Sequence, residues 1–196
     1  MKQTHAAFLT SALLALASFT AQAAPVDYQI DPEHTEIVVT WDHLGYSKPS
    51  AHAGGVTGVI SYDAAQPSKS AVALSVPVPR LTSHVAKLDE MLQGADFFQA
   101  AKYPDIQFRS TAVADQGDGN LSVSGVLRIK GIEKPVVLQT RKNQQSVHPM
   151  LQRPAIGFDA TTTLKRSDFG VDAFAPGVSD QGQLRITVEA VADAAR

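Results

Sequence analysis

The residues best suited to chemistry in this chain are its histidines. Beyond the first twenty-three positions these are His34, His43, His52, His84 and His148. The first three recur at intervals of nine, a spacing that matches no coordination geometry. A metal site needs three or four convergent ligands, and neither H-x-x-x-H nor H-E-x-x-H occurs. No metal is expected, and the histidines read as isolated, hydrogen-bonded side chains. Hydrolytic chemistry fares no better. Gly177-Val178-Ser179-Asp180-Gln181-Gly182 approximates a nucleophile elbow with the wrong glycine spacing, and no local signature marks a triad. No glycine loop runs from a strand into a helix to cradle phosphate. Cysteine is absent, which removes disulfides, thiol nucleophiles, thiolate-bound zinc, iron–sulfur clusters and c-type haem. The chain is expected to be no enzyme and to carry no cofactor.

Two segments hold concentrated side-chain character without a reaction attached. Asp96-Phe97-Phe98 places two aromatics together, as a plug closing one end of a core or as a cavity wall. Arg166-Ser167-Asp168-Phe169-Gly170-Val171 combines charge, aromatic and glycine, as a solvated turn with an Arg–Asp pair or as a cavity mouth.

The elements that must position these segments are strands. Period-two alternation runs through most of the chain. Ile37, Val39 and Trp41 share one face of Glu36–Asp42, and Val56, Ile60 and Tyr62 share one face of Val56–Asp63. Val72, Leu74, Val76 and Val78 oppose Ala71, Ala73, Ser75 and Pro77. Ile106 pairs in parity with Phe108. Leu121, Val123, Leu127 and Ile129 oppose Ser122, Ser124 and Arg128. Val136–Arg141, Ile156–Leu164 and Gln183–Ala190 continue the pattern. One apolar face per strand is the mark of antiparallel sheet. Gln116-Gly117-Asp118-Gly119-Asn120 reads as a tight hairpin, Lys130-Gly131 separates two strands, and Gly170 marks a further reversal. Ser83–Leu92 breaks the period: Val85, Leu88 and Leu92 predict a short helix with Ser83 as N-cap. Eight or nine short strands form a barrel or a sandwich. A barrel of eight can hold one ligand, whereas a sandwich fills the same faces with core.

The N-terminus reads as an export signal. Lys2 supplies the charge, Ala6 to Ala17 an apolar stretch too short to span a bilayer, and Ala21-Gln22-Ala23 a cleavage site. Residues 1–23 are therefore expected to be removed, leaving residues 24–196 as one domain in the periplasm. A domain of about 170 residues buries about 70% of its unfolded surface, enough to fold without disulfides. The formal net charge is −2 and no basic stripe occurs, so nucleic acid is not an expected partner. An outer-membrane barrel would need an apolar outer band, and Ser122, Ser124 and Arg128 would face the lipid.

Taken in order, these segments resemble the YceI-like family of periplasmic polyisoprenoid-binding proteins. The matching residues begin with Tyr28, Asp31, His34, Trp41 and His43-Leu44-Gly45-Tyr46-Ser47. They continue through Gly58, Tyr62-Asp63, Asp89, Leu92, Asp96-Phe97-Phe98 and Lys102-Tyr103-Pro104. Gly125, Lys130-Gly131, Lys134-Pro135 and Arg166–Val171 complete the set. The resemblance implies an all-β, lipocalin-like antiparallel β-barrel of about eight strands with one or two short helical insertions. It implies a non-enzymatic carrier whose partner is a long-chain isoprenoid lipid, such as a polyprenyl lipid or an isoprenoid quinone. Transient membrane contact and pairing with a second copy are compatible with that role. The candidate ligand-binding residues are Val39, Trp41, His43, Ala53, Leu74, Phe97, Phe98, Phe108, Leu127, Phe158 and Phe169. The alternative is a tightly packed β-domain with a structural or protein-binding role. The chain departs from the family pattern at Ala51 and Ala53, where a glycine and a phenylalanine are usual, and at Leu88, where an arginine is usual.

Overall fold

The period-two segments form strands, but each of the first three passes is interrupted midway. The computed structural model of the chain describes residues 24–193; the export segment expected over residues 1–23 lies outside them. β1 (Val26–Ile30) and β2 (Glu36–Thr40) form the first pass, β3 (Ser50–Ala53) and β4 (Thr57–Tyr62) the second, β5 (Ala71–Pro77) and β6 (Leu81–Thr82) the third. Pairing shows that each couple acts as one strand. β1 pairs with β4 and β4 with β5, while β2 pairs with β3 and β3 with β6, all antiparallel. Five continuous strands follow: β7 (Asp105–Gly117), β8 (Asn120–Ile129), β9 (Ile132–Val147), β10 (Pro154–Lys165) and β11 (Gln181–Ala192). They are longer than the sequence segments that predict them. Arg109, Arg128, Glu133 and Arg141 are exposed on their outer face.

Closure comes from β11. One edge pairs with β10; the other pairs with β2 along Gln183–Thr187 and then with β1 along Ala190–Ala192. The result is a closed, eight-stranded antiparallel barrel without the free edges of an open sheet. Where β11 passes from β2 to β1, the chain between them cannot continue the ladder. Asp31 N–H donates to the Glu189 carbonyl at 2.9 Å. The hydroxyl of Thr35, only 3% exposed, donates to that carbonyl at 3.3 Å and accepts from Glu189 N–H at 3.2 Å. The side chain thus satisfies backbone groups that the interrupted strand leaves over.

The interruptions also divide the interior. One half is solid: Tyr28, Ile30, Val56, Ile60, Tyr62, Val113, Leu121, Val123, Ile156, Phe158 and Ala190 are buried in one apolar cluster. Tyr62 and Phe158 meet edge-on with centroids 5.8 Å apart. The other half, bounded by β2, β3 and β6, is covered by a second cluster that includes Leu92, Phe97, Phe169 and Val171.

The hairpin turns follow from sequence. Asp118 and Gly119 both take positive φ (52° and 78°), as do Lys130 and Gly131 (51° and 76°). These are two-residue turns of the type that matches strand twist. The helix differs in detail from expectation. α1 (Ala86–Gln93) has Val85, not Ser83, at its N-cap position, with no side-chain cap. Ser83 instead donates through its hydroxyl (2.6 Å) and its N–H (2.5 Å) to the Asp89 carboxylate, which also accepts from Thr82 Oγ1 at 2.9 Å. The first turn reaches back to fix the chain before it, and those Ser83 donors hold the Asp89 carboxyl below its ordinary value.

A cavity in the hollow half of the barrel

Inward-facing side chains of the hollow half do not meet across the axis. They enclose a cavity of about 850 Å³. β2 contributes Ile37 and Val39, the segment after it Trp41 and His43, β3 contributes Ala51 and Ala53, and β5 and β6 contribute Leu74, Val76 and Leu81. Ile106, Phe108, Leu127, Ile129, Val136 and Leu138 continue the wall, and Leu184 and Ile186 of β11 complete it. α1 lays Leu88, Met91 and Leu92 across the end, beside Phe97 and Phe98. The aromatic pair is therefore cavity wall and cover together. Polar lining is confined to a few residues, among them His43, Ser47, Thr162, Lys165 and Arg166.

Of the residues singled out from sequence, Val39, Trp41, His43, Ala53, Leu74, Phe97, Phe98, Phe108, Leu127 and Phe169 line the cavity. Phe158 does not. It has the inward parity expected of it, but it sits in the solid half against Tyr62. Thr162 and Leu164, further along β10, face the cavity instead. Sequence reasoning missed Leu44 and Phe174, which lie in loops and have no periodicity to reveal them. Both line the cavity, yet they are 55% and 65% exposed. The cavity therefore reaches the surface beside these loops. His43 N–H bonds to the Ser47 carbonyl, Leu44 N–H to Gly177 and Ser179 N–H to Asp42, joining the two loops into one rim.

Arg166 is the anchor of that rim. Its guanidinium donates to the carbonyls of Ser179 (2.9 Å), Val171 (2.6 Å) and Val178 (3.1 Å). Of the two readings of this segment, the structure has the cavity mouth and not the solvated Arg–Asp pair: Arg166 lines the cavity and is a half-buried cation gathering loop carbonyls, which a planar fork with several donors suits. Gly170, at φ 63°, ends the turn in the left-handed region, and Lys130 Nζ donates to its carbonyl at 2.7 Å. Asp180 accepts from Ser167 Oγ (2.7 Å) and Ser167 N–H (2.8 Å). The hydroxyl and then the N–H of Ser167 hold its carboxyl below the usual carboxylate range. A lowered pKa stabilises the fold where the group is ionised, above about pH 4, and the contribution is lost as pH falls through the lowered value. The protection of amides in residues 166–180 against hydrogen exchange, taken relative to the unfolded-chain rate at each pH, should fall in acid below about pH 4. Asp180→Asn should show faster exchange already at neutral pH and a flatter acid response, measured by exchange mass spectrometry.

The size of the cavity constrains its contents. The cost of an unfilled apolar void rises with its volume, and the net stability of a domain is only roughly 5–15 kcal/mol. Apolar walls give water few hydrogen-bond partners. A solid β-domain is therefore not what this half of the barrel contains; the arrangement suits an apolar guest, which gains about 0.8 kcal/mol for each methylene withdrawn from water.

Comparison with known proteins agrees with this architecture. A family model described as the YceI-like domain matches residues 28–190. A UPF0312 protein of Pseudomonas putida is 37% identical over 195 residues, covering 97% of this chain and 98% of that protein. Among solved structures, BcnA of Burkholderia cenocepacia superposes with a TM-score of 0.74 at 20% identity, covering 82% of this chain and 98% of that one. A polyisoprenoid binding domain from Saccharophagus degradans superposes with a TM-score of 0.68 at 13% identity, covering 86% and 99%.

Proposed function

The chain belongs to the YceI-like family, and from that membership together with its cavity we propose that it is a periplasmic carrier of a polyisoprenoid or isoprenoid-quinone-type lipid. The observation that carries the reading is the apolar cavity of about 850 Å³ that reaches the surface at one rim. At 13% identity the likeness to the Saccharophagus domain carries the fold, so the lipid class rests on the cavity and on the family residues along the chain. A prenyl tail occupies the barrel, with its head group toward His43, Ser47, Lys165 and Arg166. Transfer from bilayer to cavity exchanges one apolar surrounding for another, so the tail moves at little net cost and remains releasable. The role is that of a binding or carrier protein, with Val39, Trp41, Ala53, Leu74, Phe108 and Leu127 as wall and Phe97, Phe98 and Phe169 as cover.

Organic extraction of protein taken from its own periplasm, followed by mass spectrometry, tests this. A prenyl lipid near one per chain is expected, on a polypeptide beginning at Ala24. Protein that yields no lipid and takes up no prenyl probe would overturn the assignment. The wall can be tested separately. Ala53 is 4% exposed, lines the cavity, and lies opposite Ile37 on β2 and Leu81 on β6. Ala53→Phe should retain the fold and shift preference toward shorter prenyl chains in a length series. An unchanged preference would show that the tail does not reach β3.

A further inference from the structure

Four titratable side chains meet on the barrel seam and take no part in the cavity. Asp31 and His34 lie in the interruption between β1 and β2, and Glu189 lies on β11, the strand that closes the barrel. One ligand-type atom from each of the three lies within 4.8 Å of the others. His34 Nδ1 is 2.8 Å from Asp31 Oδ2. Neither carboxylate has a Lys or Arg partner within 4.0 Å among the described residues. The backbone holds them together: Asp31 N–H donates to the Glu189 carbonyl, and buried Thr35 brackets the same residue from the other side. Asp31 Oδ1 accepts from Glu33 N–H at 2.8 Å, which leaves Oδ2 directed at His34.

His148 completes the arrangement without being a ligand. Its Nδ1 accepts N–H bonds from Met150 (3.2 Å) and Leu151 (3.1 Å). These bonds assign the proton of the neutral ring to Nε2, which lies 3.2 Å from Glu189 Oε1 and donates to it. One Glu189 oxygen is thereby oriented and the other left free, the outer-shell support that metal-bound carboxylates commonly have.

We propose that Asp31, His34 and Glu189 form a site for a divalent transition-metal ion of the zinc class, clamping the β1–β2 interruption to β11. With metal–ligand bonds of about 2.0–2.1 Å, tetrahedral ligand atoms stand about 3.3 Å apart. The three atoms, all within 4.8 Å of one another, need only side-chain adjustment to reach that spacing, and water completes the coordination. An imidazole with two carboxylates suits zinc-like ions, whereas calcium and magnesium favour oxygen ligands alone. Because none of the three residues lines the cavity, the proposal stands apart from the lipid reading.

The test is calorimetric titration of chelator-treated, dialysed protein with zinc chloride, paired with thermal melts. One zinc ion per chain should bind saturably in the presence of excess magnesium, and it should raise the melting temperature by binding only the folded state. His34→Ala and Glu189→Gln should each weaken zinc at least about tenfold and abolish the thermal shift. His52→Ala, which removes the separate His52–Glu36 pair at 3.0 Å, should change neither. Absence of saturable zinc binding, or undiminished binding by His34→Ala, would overturn the proposal. If Glu189→Gln does not fold, His34→Ala decides the matter, because that side chain is 63% exposed and its removal leaves the core intact.

Discussion

Leu127→Arg is expected to destabilise the barrel by on the order of 3 kcal/mol or more and to abolish uptake of a prenyl probe. Leu127 faces the cavity from β8, opposite Phe108 on β7 and Lys134 on β9. A guanidinium there enters an apolar wall with a like charge directly across the strand pair, an arrangement that adds repulsion to desolvation. The adjacent change, Arg128→Leu, lies on the exposed face and should alter stability by no more than about 0.5 kcal/mol. Denaturant unfolding of both variants, with probe titration of whatever folds, distinguishes them. Equal tolerance would show that β8 presents the opposite face to the cavity.

Gly125→Ala should cost about 3 kcal/mol, although it adds a single methyl group. Gly125 sits on β8 between the inward residues Val123 and Leu127. A Cβ there would collide with the ring carbons Cε2 and Cζ of Phe108 and would lie 2.6 Å from the Arg109 carbonyl oxygen. The ring of Phe108, 5% exposed, occupies the space a side chain would need. That ring is part of the cavity wall, so displacing it also changes the cavity. Coupling provides the check: in a Phe108→Leu background, Ala at position 125 should cost less than in the parent, since only the carbonyl contact remains. Unfolding midpoints of the four proteins give the coupling directly. Additive effects would mean that the ring is not what excludes the methyl group.

Much of this architecture is legible along the chain because strand parity is local. Alternate side chains point to opposite faces whatever the rest of the protein does. Leu121, Val123 and Ile129 are buried on β8 while Arg128 is exposed, as their alternation predicts. The same holds for Ile60 and Tyr62 and for Val76 and Phe108. Asp118-Gly119 and Lys130-Gly131 predict their turns because few residue types accept positive φ at both central positions. The apolar face of α1 is likewise periodic, but its cap was not readable, since the N-cap position falls two residues later, at Val85, and Ser83 donates its hydroxyl and N–H to the Asp89 carboxylate instead of accepting helix N–H bonds.

Which inward residues face a cavity, and which face one another, was decided only by tertiary structure. Phe158 and Leu164 share one face of one strand, yet the first packs against Tyr62 and the second lines the cavity. Nothing local separates them, because the boundary is drawn by interruptions in three other passes of the chain acting together around the barrel. Arg166 reads as a surface charge until residues 171, 178 and 179 bring their carbonyls to it. Asp31, His34 and Glu189 show no common motif because they meet only when the first strand pairs with the last. The sequence by itself determined strands, faces, turns and family. Barrel closure determined the cavity, its rim and the seam cluster, because each depends on long-range pairings that no short window of residues contains.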